Sequence, residues 1–173
     1  MEKIHAVLRL DNMSGTQNGA RLKSVKFYDG GAPAAIDNGQ LVVLEEAIGR
    51  EVYKAVAPKA DSVADDIYLV GGVELFYDET VKHYLTEWEN AADKPVRVYK
   101  PEAGADGFSV TAEAFEGVPS VGKYVGFAAG STKIQVQDTR DEKTIGKIES
   151  KETSGWGKGA YEYFYIQTCA AKA

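Results

Sequence analysis

Along most of this chain, apolar side chains alternate with polar ones at a period of two, and only one stretch carries them at helical spacing. The alternation is clearest after position 107. There Phe108, Val110 and Ala112 alternate with Ser109 and Thr111; Val121, Lys123, Val125 and Phe127 follow; and Ile134 and Val136 alternate with Lys133, Gln135 and Gln137. Such spacing places one set of side chains on a buried face and the other in solvent, predicting half-buried strands. A last hairpin is expected to pair residues 144–153 with 160–169 across Ser154, Gly155, Trp156, Gly157, Lys158 and Gly159.

The first hundred residues read as shorter strands cut by turn formers. Residues 3–10 have a strand-like composition and run into Asp11, Asn12, Met13, Ser14 and Gly15. Leu22, Val25, Phe27 and Tyr28 lead to Asp29-Gly30-Gly31-Ala32-Pro33, and Asp37-Asn38-Gly39 precedes the apolar run Leu41-Val42-Val43-Leu44. An Asn-Gly pair between apolar runs is a strong hairpin signal. Residues 52–56 predict a strand broken at Pro58, and Ile67-Tyr68-Leu69-Val70 predicts a short buried one. Between 78 and 92, Val81, Tyr84, Leu85 and Trp88 sit at helical spacing with Glu and Lys between them, so a short amphipathic helix is expected, stopped by Pro95. Residues 96–99 resume an extended pattern.

The fold class that follows is mainly β, with barrel or sandwich elements and one short amphipathic helix; α+β is the fallback. The small and turn-favouring run Ala103-Gly104-Ala105-Asp106-Gly107 marks a possible boundary between an N-terminal mixed β region (1–102) and a small barrel-like C-terminal region (103–173). A single domain, or an inserted subdomain at 73–102, is equally compatible with the pattern. The 173 residues suffice to bury a core without staples, and 18 glycines against 5 prolines suit a turn-rich globular chain. Ten tyrosines, six phenylalanines and many valines favour strands.

A net charge of −6 argues against a protein built to neutralise phosphates, so neither nucleic acid nor an anionic membrane surface is an expected partner. No apolar run approaches the ~20 residues of a spanning helix, and the first residues lack the pattern of a secretory signal. The single Cys169 has no internal disulfide partner, which suits synthesis in a reducing cytoplasm.

Catalytic chemistry has few visible parts. The two histidines, His5 and His83, lie far apart in sequence, one in an expected strand and one on the expected helix. No serine stands in a nucleophile-elbow context, and Cys169 lies near the last residue. The carboxylate pairs Glu45-Glu46, Asp65-Asp66 and Asp78-Glu79, and Asp138 with Asp141-Glu142, read as solvated turn charges; they would serve a hydrolase only if two faced each other across a cleft. None follows the EF-hand pattern, and no metal, cofactor or small-molecule substrate is assigned. Residues 155–159 (GWGKG) superficially resemble a phosphate loop, but strand-like Tyr161-Glu162-Tyr163-Phe164-Tyr165 follows where a helix is needed. A hairpin tip is the better reading. It offers Trp156 to a partner. Tyr161, Tyr163 and Tyr165 share one face of the last strand, with Phe164 and Ile166 on the other; that tyrosine row either covers the sheet or contributes, with Trp156, to a contact between subunits.

Several stretches together resemble small head proteins encoded beside capsid genes in tailed phages and prophages of Gram-positive bacteria. They are Ala6-Val7-Leu8-Arg9-Leu10-Asp11-Asn12-Met13, Leu22-Lys23-Ser24-Val25-Lys26-Phe27-Tyr28, Asp37-Asn38-Gly39-Gln40-Leu41-Val42-Val43-Leu44, Val121-Gly122-Lys123-Tyr124-Val125 and Ile145-Gly146-Lys147-Ile148. The resemblance implies a non-enzymatic head decoration protein, made in the host bacterial cytoplasm and carried on the capsid exterior of the virion. Its expected partner is the major capsid protein lattice, and it is expected to act as a homo-oligomer. Two alternatives stay open on the residues alone. One is a carbohydrate-binding module stacking sugars on Trp156, Tyr161 and Tyr163; the other is a small hydrolase using acidic residues.

Overall fold

The computed structural model describes residues 5–13, 18–77, 83–157 and 160–172. Among the described residues, twelve strands form two curled sheets: β1 (Leu22–Asp29), β2 (Ala32–Pro33), β3 (Leu41–Gly49), β4 (Val52–Val56), β5 (Tyr68–Val70) and β6 (Val96–Tyr99) in the first, and β7 (Gly107–Thr111), β8 (Phe115–Glu116), β9 (Tyr124–Gly126), β10 (Ile134–Gln137), β11 (Thr144–Ser154) and β12 (Tyr161–Thr168) in the second. The protein is mainly β, as the period-two pattern predicts.

The first sheet closes on itself. Its order is β2-β1-β4-β3-β5-β6, and β6 returns to pair with β1, so β1, β4, β3, β5 and β6 form a five-stranded barrel. Four of those pairings are antiparallel and one, β1 with β4, is parallel. Closure satisfies the backbone groups that an open sheet would leave at its edges. Val25, Phe27, Val42, Ala55, Val70, Val96 and Val98 fill the barrel together with Ile36.

The second sheet runs β7-β12-β11-β9-β10-β8. One outer strand, β8, is only two residues long, and the other, β7, is covered by the start of the chain. Leu8 bridges Val110, the Arg9 N–H donates to the Ser109 carbonyl (2.9 Å), and the Thr111 N–H donates to the Val7 carbonyl (3.0 Å). The expected first strand is thus an extended segment with a single bridge, docked on a strand a hundred positions away. Because of that cover, β7 is buried on both faces rather than half-buried.

The apolar run at Leu41 has a direct explanation. In β3, Val42 points into the barrel, while Leu41 and Val43 join the second core with Leu69 of β5, Phe108, Val110, Phe115, Phe127, Ile134, Ile148, Phe164 and Ile166. A strand buried on both faces has no polar side to alternate, so its sequence reads as continuous hydrophobics. The wall made by β3 and β5 therefore belongs to both cores. Polar bonds reinforce it, with the Leu41 N–H donating to the Thr132 carbonyl (2.7 Å) and the Gly130 N–H to the Pro58 carbonyl (2.8 Å).

Two expectations need correction. Over residues 83–92 there is no α-helix: the only helical element is a 3-10 turn at Leu85–Glu87, and the rest is irregular. A helix needs one continuous apolar stripe, whereas here Thr86 and Asn90 are the buried residues and Leu85 is exposed. The Asn38-Gly39 pair makes a turn, with Gly39 at φ +79°, but no hairpin, since β3 pairs with β4 and β5 instead. Its asparagine is used elsewhere, as described below. Residues 78–82 of the expected helix, Lys3 and Ile4, Ser14 and Gly15, and Lys158 and Gly159 lie outside the described residues.

Candidate functional site

Between β5 and β6 the chain leaves the barrel on an excursion, residues 71–90, and its first part inverts the usual burial pattern. From 73 to 77, Val73, Leu75 and Tyr77 are 58, 52 and 92 % exposed, while Glu74 and Phe76 turn inward. An extended segment normally buries its apolar set. This one spends its inner face on a polar contact and an aromatic stack.

That inner face is anchored by a buried amide network. The Asn38 Nδ2 group donates to the Gly72 carbonyl (2.8 Å) and to Glu74 Oε1 (2.7 Å), and Asn38 Oδ1 accepts from the Gly72 N–H (2.8 Å) and from Asn90 Nδ2 (2.9 Å). The Asn90 Nδ2 group also donates to the Ile36 carbonyl (2.9 Å), and Ile36 and Asn90 exchange backbone bonds. Both asparagines are buried, and both polar atoms of Asn38 and the Asn90 Nδ2 group are hydrogen-bonded, as burial demands. Gly72 has no side chain because Asn90 occupies that space. Burial pushes the Glu74 carboxyl above its ordinary value, against the opposing pull of the Asn38 donor. Further along, the Phe76 ring stacks on His83 (4.5 Å between centroids) and meets Trp88 edge-on at 5.4 Å.

The excursion leans on the start of β12, where the Leu85 N–H donates to the Tyr161 hydroxyl (3.1 Å). Beyond Tyr161 the hairpin tip projects, and Trp156 there is 96 % exposed between Gly155 and Gly157, both at positive φ. The four aromatic residues singled out in the sequence thus divide. Trp156 stands in solvent. Tyr161 is half-buried, its ring 6.1 Å from that of Tyr163 and tilted by 52°. Tyr163 is 4 % exposed, lies under the Arg9 guanidinium, and burial lifts its hydroxyl to about 12. Tyr165 is half-buried and donates to Gln167 Oε1 (2.7 Å). The tyrosine row therefore covers the sheet, and Tyr163 has no surface to offer a partner.

Several members of the acidic pairs are tied into ion pairs and turns, whereas Asp65 and Glu142 both line the cleft that Cys169 borders. Glu45 is held by Lys54 (2.8 Å) and Lys59 (2.5 Å), which pull its carboxyl down to about 2. Asp66 accepts from the Val63 N–H (3.2 Å), Asp141 accepts from the Lys143 N–H (2.9 Å), and Asp138 pairs with Lys123. Asp78 and Glu79 lie outside the described residues. Cys169 lines a largely apolar cleft of about 390 Å³ between the sheets, with Ile67, Pro101, Phe108 and Ile145, and burial pushes its thiol up, away from the reactive thiolate. Among the described residues, no helix is long and apolar enough to cross a membrane.

Sequence reasoning missed Asn38, Asn90 and the outward row Val73, Leu75 and Tyr77. Alternation was visible in Val73-Glu74-Leu75-Phe76-Tyr77; which set faced outward was not. It also missed a cluster in which His5, Asp37 and Glu89 converge. Comparison with known proteins finds no matching family model, no matching curated protein and no matching solved structure.

Proposed function

We propose that this chain is a non-enzymatic structural protein of a tailed-phage head, bound to the outside of the icosahedral capsid and reinforcing it. The observation that carries the reading is the inverted row Val73, Leu75 and Tyr77, backed by the buried Asn38–Asn90 hydrogen bonds and accompanied by exposed Trp156. A fold that holds apolar side chains outward on a braced segment has a surface made to be covered. The sequence resemblance to small head proteins supplies the kind of partner, the major capsid protein lattice. Each large side chain buried there would contribute about 1.5–3 kcal/mol. Such contacts are modest singly and become strong when a homo-oligomer engages several lattice positions at once.

A sugar-binding reading draws on Trp156 and Tyr77, but the tilted and covered Tyr161–Tyr163 pair gives it no coplanar platform. The deciding experiment is cosedimentation of the purified protein with capsids from its own genomic neighbourhood that lack it. Saturable binding at a fixed ratio to capsid subunits is expected, weakened at least tenfold in Trp156→Ala and in Tyr77→Ser, with thermal stability unchanged. Absence of binding by the wild type would overturn the proposal, and retention on a glycan array would then favour the sugar-binding module.

A further inference from the structure

Three segments far apart in sequence bring one imidazole and two carboxylates together. Ligand atoms of His5, Asp37 and Glu89 all lie within 4.8 Å of one another, and His5 Nδ1 is 2.8 Å from Asp37 Oδ1. We infer that these three side chains form a binding site for a borderline divalent cation of the Zn2+ type, which fastens the start of the chain and the end of the excursion to the 36–39 turn.

The backbone around the cluster is fixed before any ion arrives. Asp37 and Glu89 each flank a residue of the Ile36–Asn90 bridge, whose two backbone bonds are both 3.0 Å. Asn38, next to Asp37, is locked in the buried amide network. His5 is held by its own N–H, which donates to the Thr86 carbonyl (3.2 Å), and the Ala6 N–H donates to Asp37 Oδ2 (3.2 Å), orienting that carboxylate. Ligands whose supports are already bonded lose little freedom on binding, and outer hydrogen bonds of this kind aim a carboxylate at an ion.

The donor set selects the ion. One imidazole nitrogen with two carboxylate oxygens suits first-row divalent cations of intermediate softness; it offers no thiolate for Cu+ and falls short of the six to eight oxygens that Ca2+ prefers. With bonds of about 2.0–2.2 Å and tetrahedral angles, ligand atoms stand roughly 3.4 Å apart. The His5–Asp37 pair would open by roughly half an ångström, and Glu89, within 4.8 Å of both, would adjust to complete the set. Glu89 is exposed and free to make that move, while His5 and Asp37 are half-buried, so the site has a rigid floor and an open mouth. Two carboxylates with a neutral imidazole carry a charge of −2, which a divalent ion cancels. Three protein ligands leave the fourth tetrahedral position to water.

The test uses the whole chain stripped with EDTA and titrated with ZnCl2, reading the imidazole resonances of its two histidines together with the thermal midpoint. The expected result is a change in the His5 signals that saturates at one equivalent, no change at His83, and a rise in midpoint that Mg2+ does not reproduce. Glu89→Gln, a surface change that leaves the fold intact, is expected to weaken Zn2+ binding at least tenfold, as is His5→Gln; Cys169→Ser is expected to leave it unchanged. Equal responses of both histidines, undiminished affinity in Glu89→Gln, or no binding at 0.1 mM Zn2+ would each overturn the inference.

Discussion

The two sheets complete themselves by different means. The barrel is closed by its own strands, with β6 returning to β1, so its ladder has no open edge. The second sheet has one edge shortened to two residues and the other covered by residues 7–9. One closes its own ladder; the other depends on a segment about a hundred positions away in sequence. Yet the two are not independent, because β3 and β5 carry side chains into both cores.

Substitution in the shared wall gives the largest expected effect. Leu41→Ala removes a fully buried side chain facing the second core, and a loss near the upper end of ~2–5 kcal/mol is expected, with a single urea transition by circular dichroism because both cores share that strand. Two separated transitions would show that the wall does not couple the sheets. Leu8→Ala acts on the borrowed edge, where relaxation is easier, and is expected nearer the lower end of ~2–5 kcal/mol. Its signature is local: hydrogen exchange speeds up at the Thr111 amide, bonded to Val7, while barrel amides such as Val98 stay protected. Equal loss of protection in the barrel would break the proposed asymmetry.

Asn90→Ala tests the excursion. It deprives the Ile36 carbonyl and the Asn38 Oδ1 atom of one donor each in a buried setting, at an expected cost of about 1–3 kcal/mol in urea unfolding.

The smallest effects are electrostatic and opposite in sign in the two regions. Glu74 on the excursion has its carboxyl raised by burial, so the folded state holds the proton more tightly than the unfolded one, and stability falls as pH rises above the ordinary value through the raised one. Glu74→Gln keeps an acceptor for Asn38 and is expected to remove that slope from a plot of thermal midpoint against pH. Glu45 in the barrel is held down at about 2 by Lys54 and Lys59; its contribution is present above about pH 4.5 and is lost as pH falls from there towards 2. Glu45→Gln is expected to flatten the acid side of the same plot by lowering the midpoint above about pH 4.5, without adding a slope at neutral pH.

Much of the fold was legible because it rests on local signals. Val52–Val56, Val96–Tyr99 and Ile134–Gln137 are strands with the bounds their alternation and flanking prolines or glycines suggest, and the last hairpin turns where Gly155 and Gly157 allow positive φ. What was not legible depends on contacts between distant residues. The spacing of Tyr84, Leu85 and Trp88 suits a helix, but the segment follows its tertiary bonds: Thr86 receives the His5 N–H and Asn90 bonds Ile36. Asn38-Gly39 looks like a hairpin turn to any local rule, and only the arrival of Gly72 and Asn90 reveals why an asparagine stands there. At the candidate surface, exposed Trp156 could be read from its glycine neighbours, whereas Tyr163 is buried with the distant Arg9 lying over its ring.

The borrowed edge also sets a schedule for synthesis. The Val7 N–H bonds to the Thr111 side chain, 104 positions later in the chain. At a translation rate of about 5–20 residues per second, residues 6–9 leave the ribosome ~5–20 s before their partner strand exists. The barrel strands, ending at Tyr99, emerge in that interval, with Leu41, Val43 and Leu69 still lacking the second core they pack into. The apolar segment at residues 6–8 stays unpaired meanwhile, and the nascent chain is expected to be most open to aggregation or chaperone capture in the seconds before β7 appears.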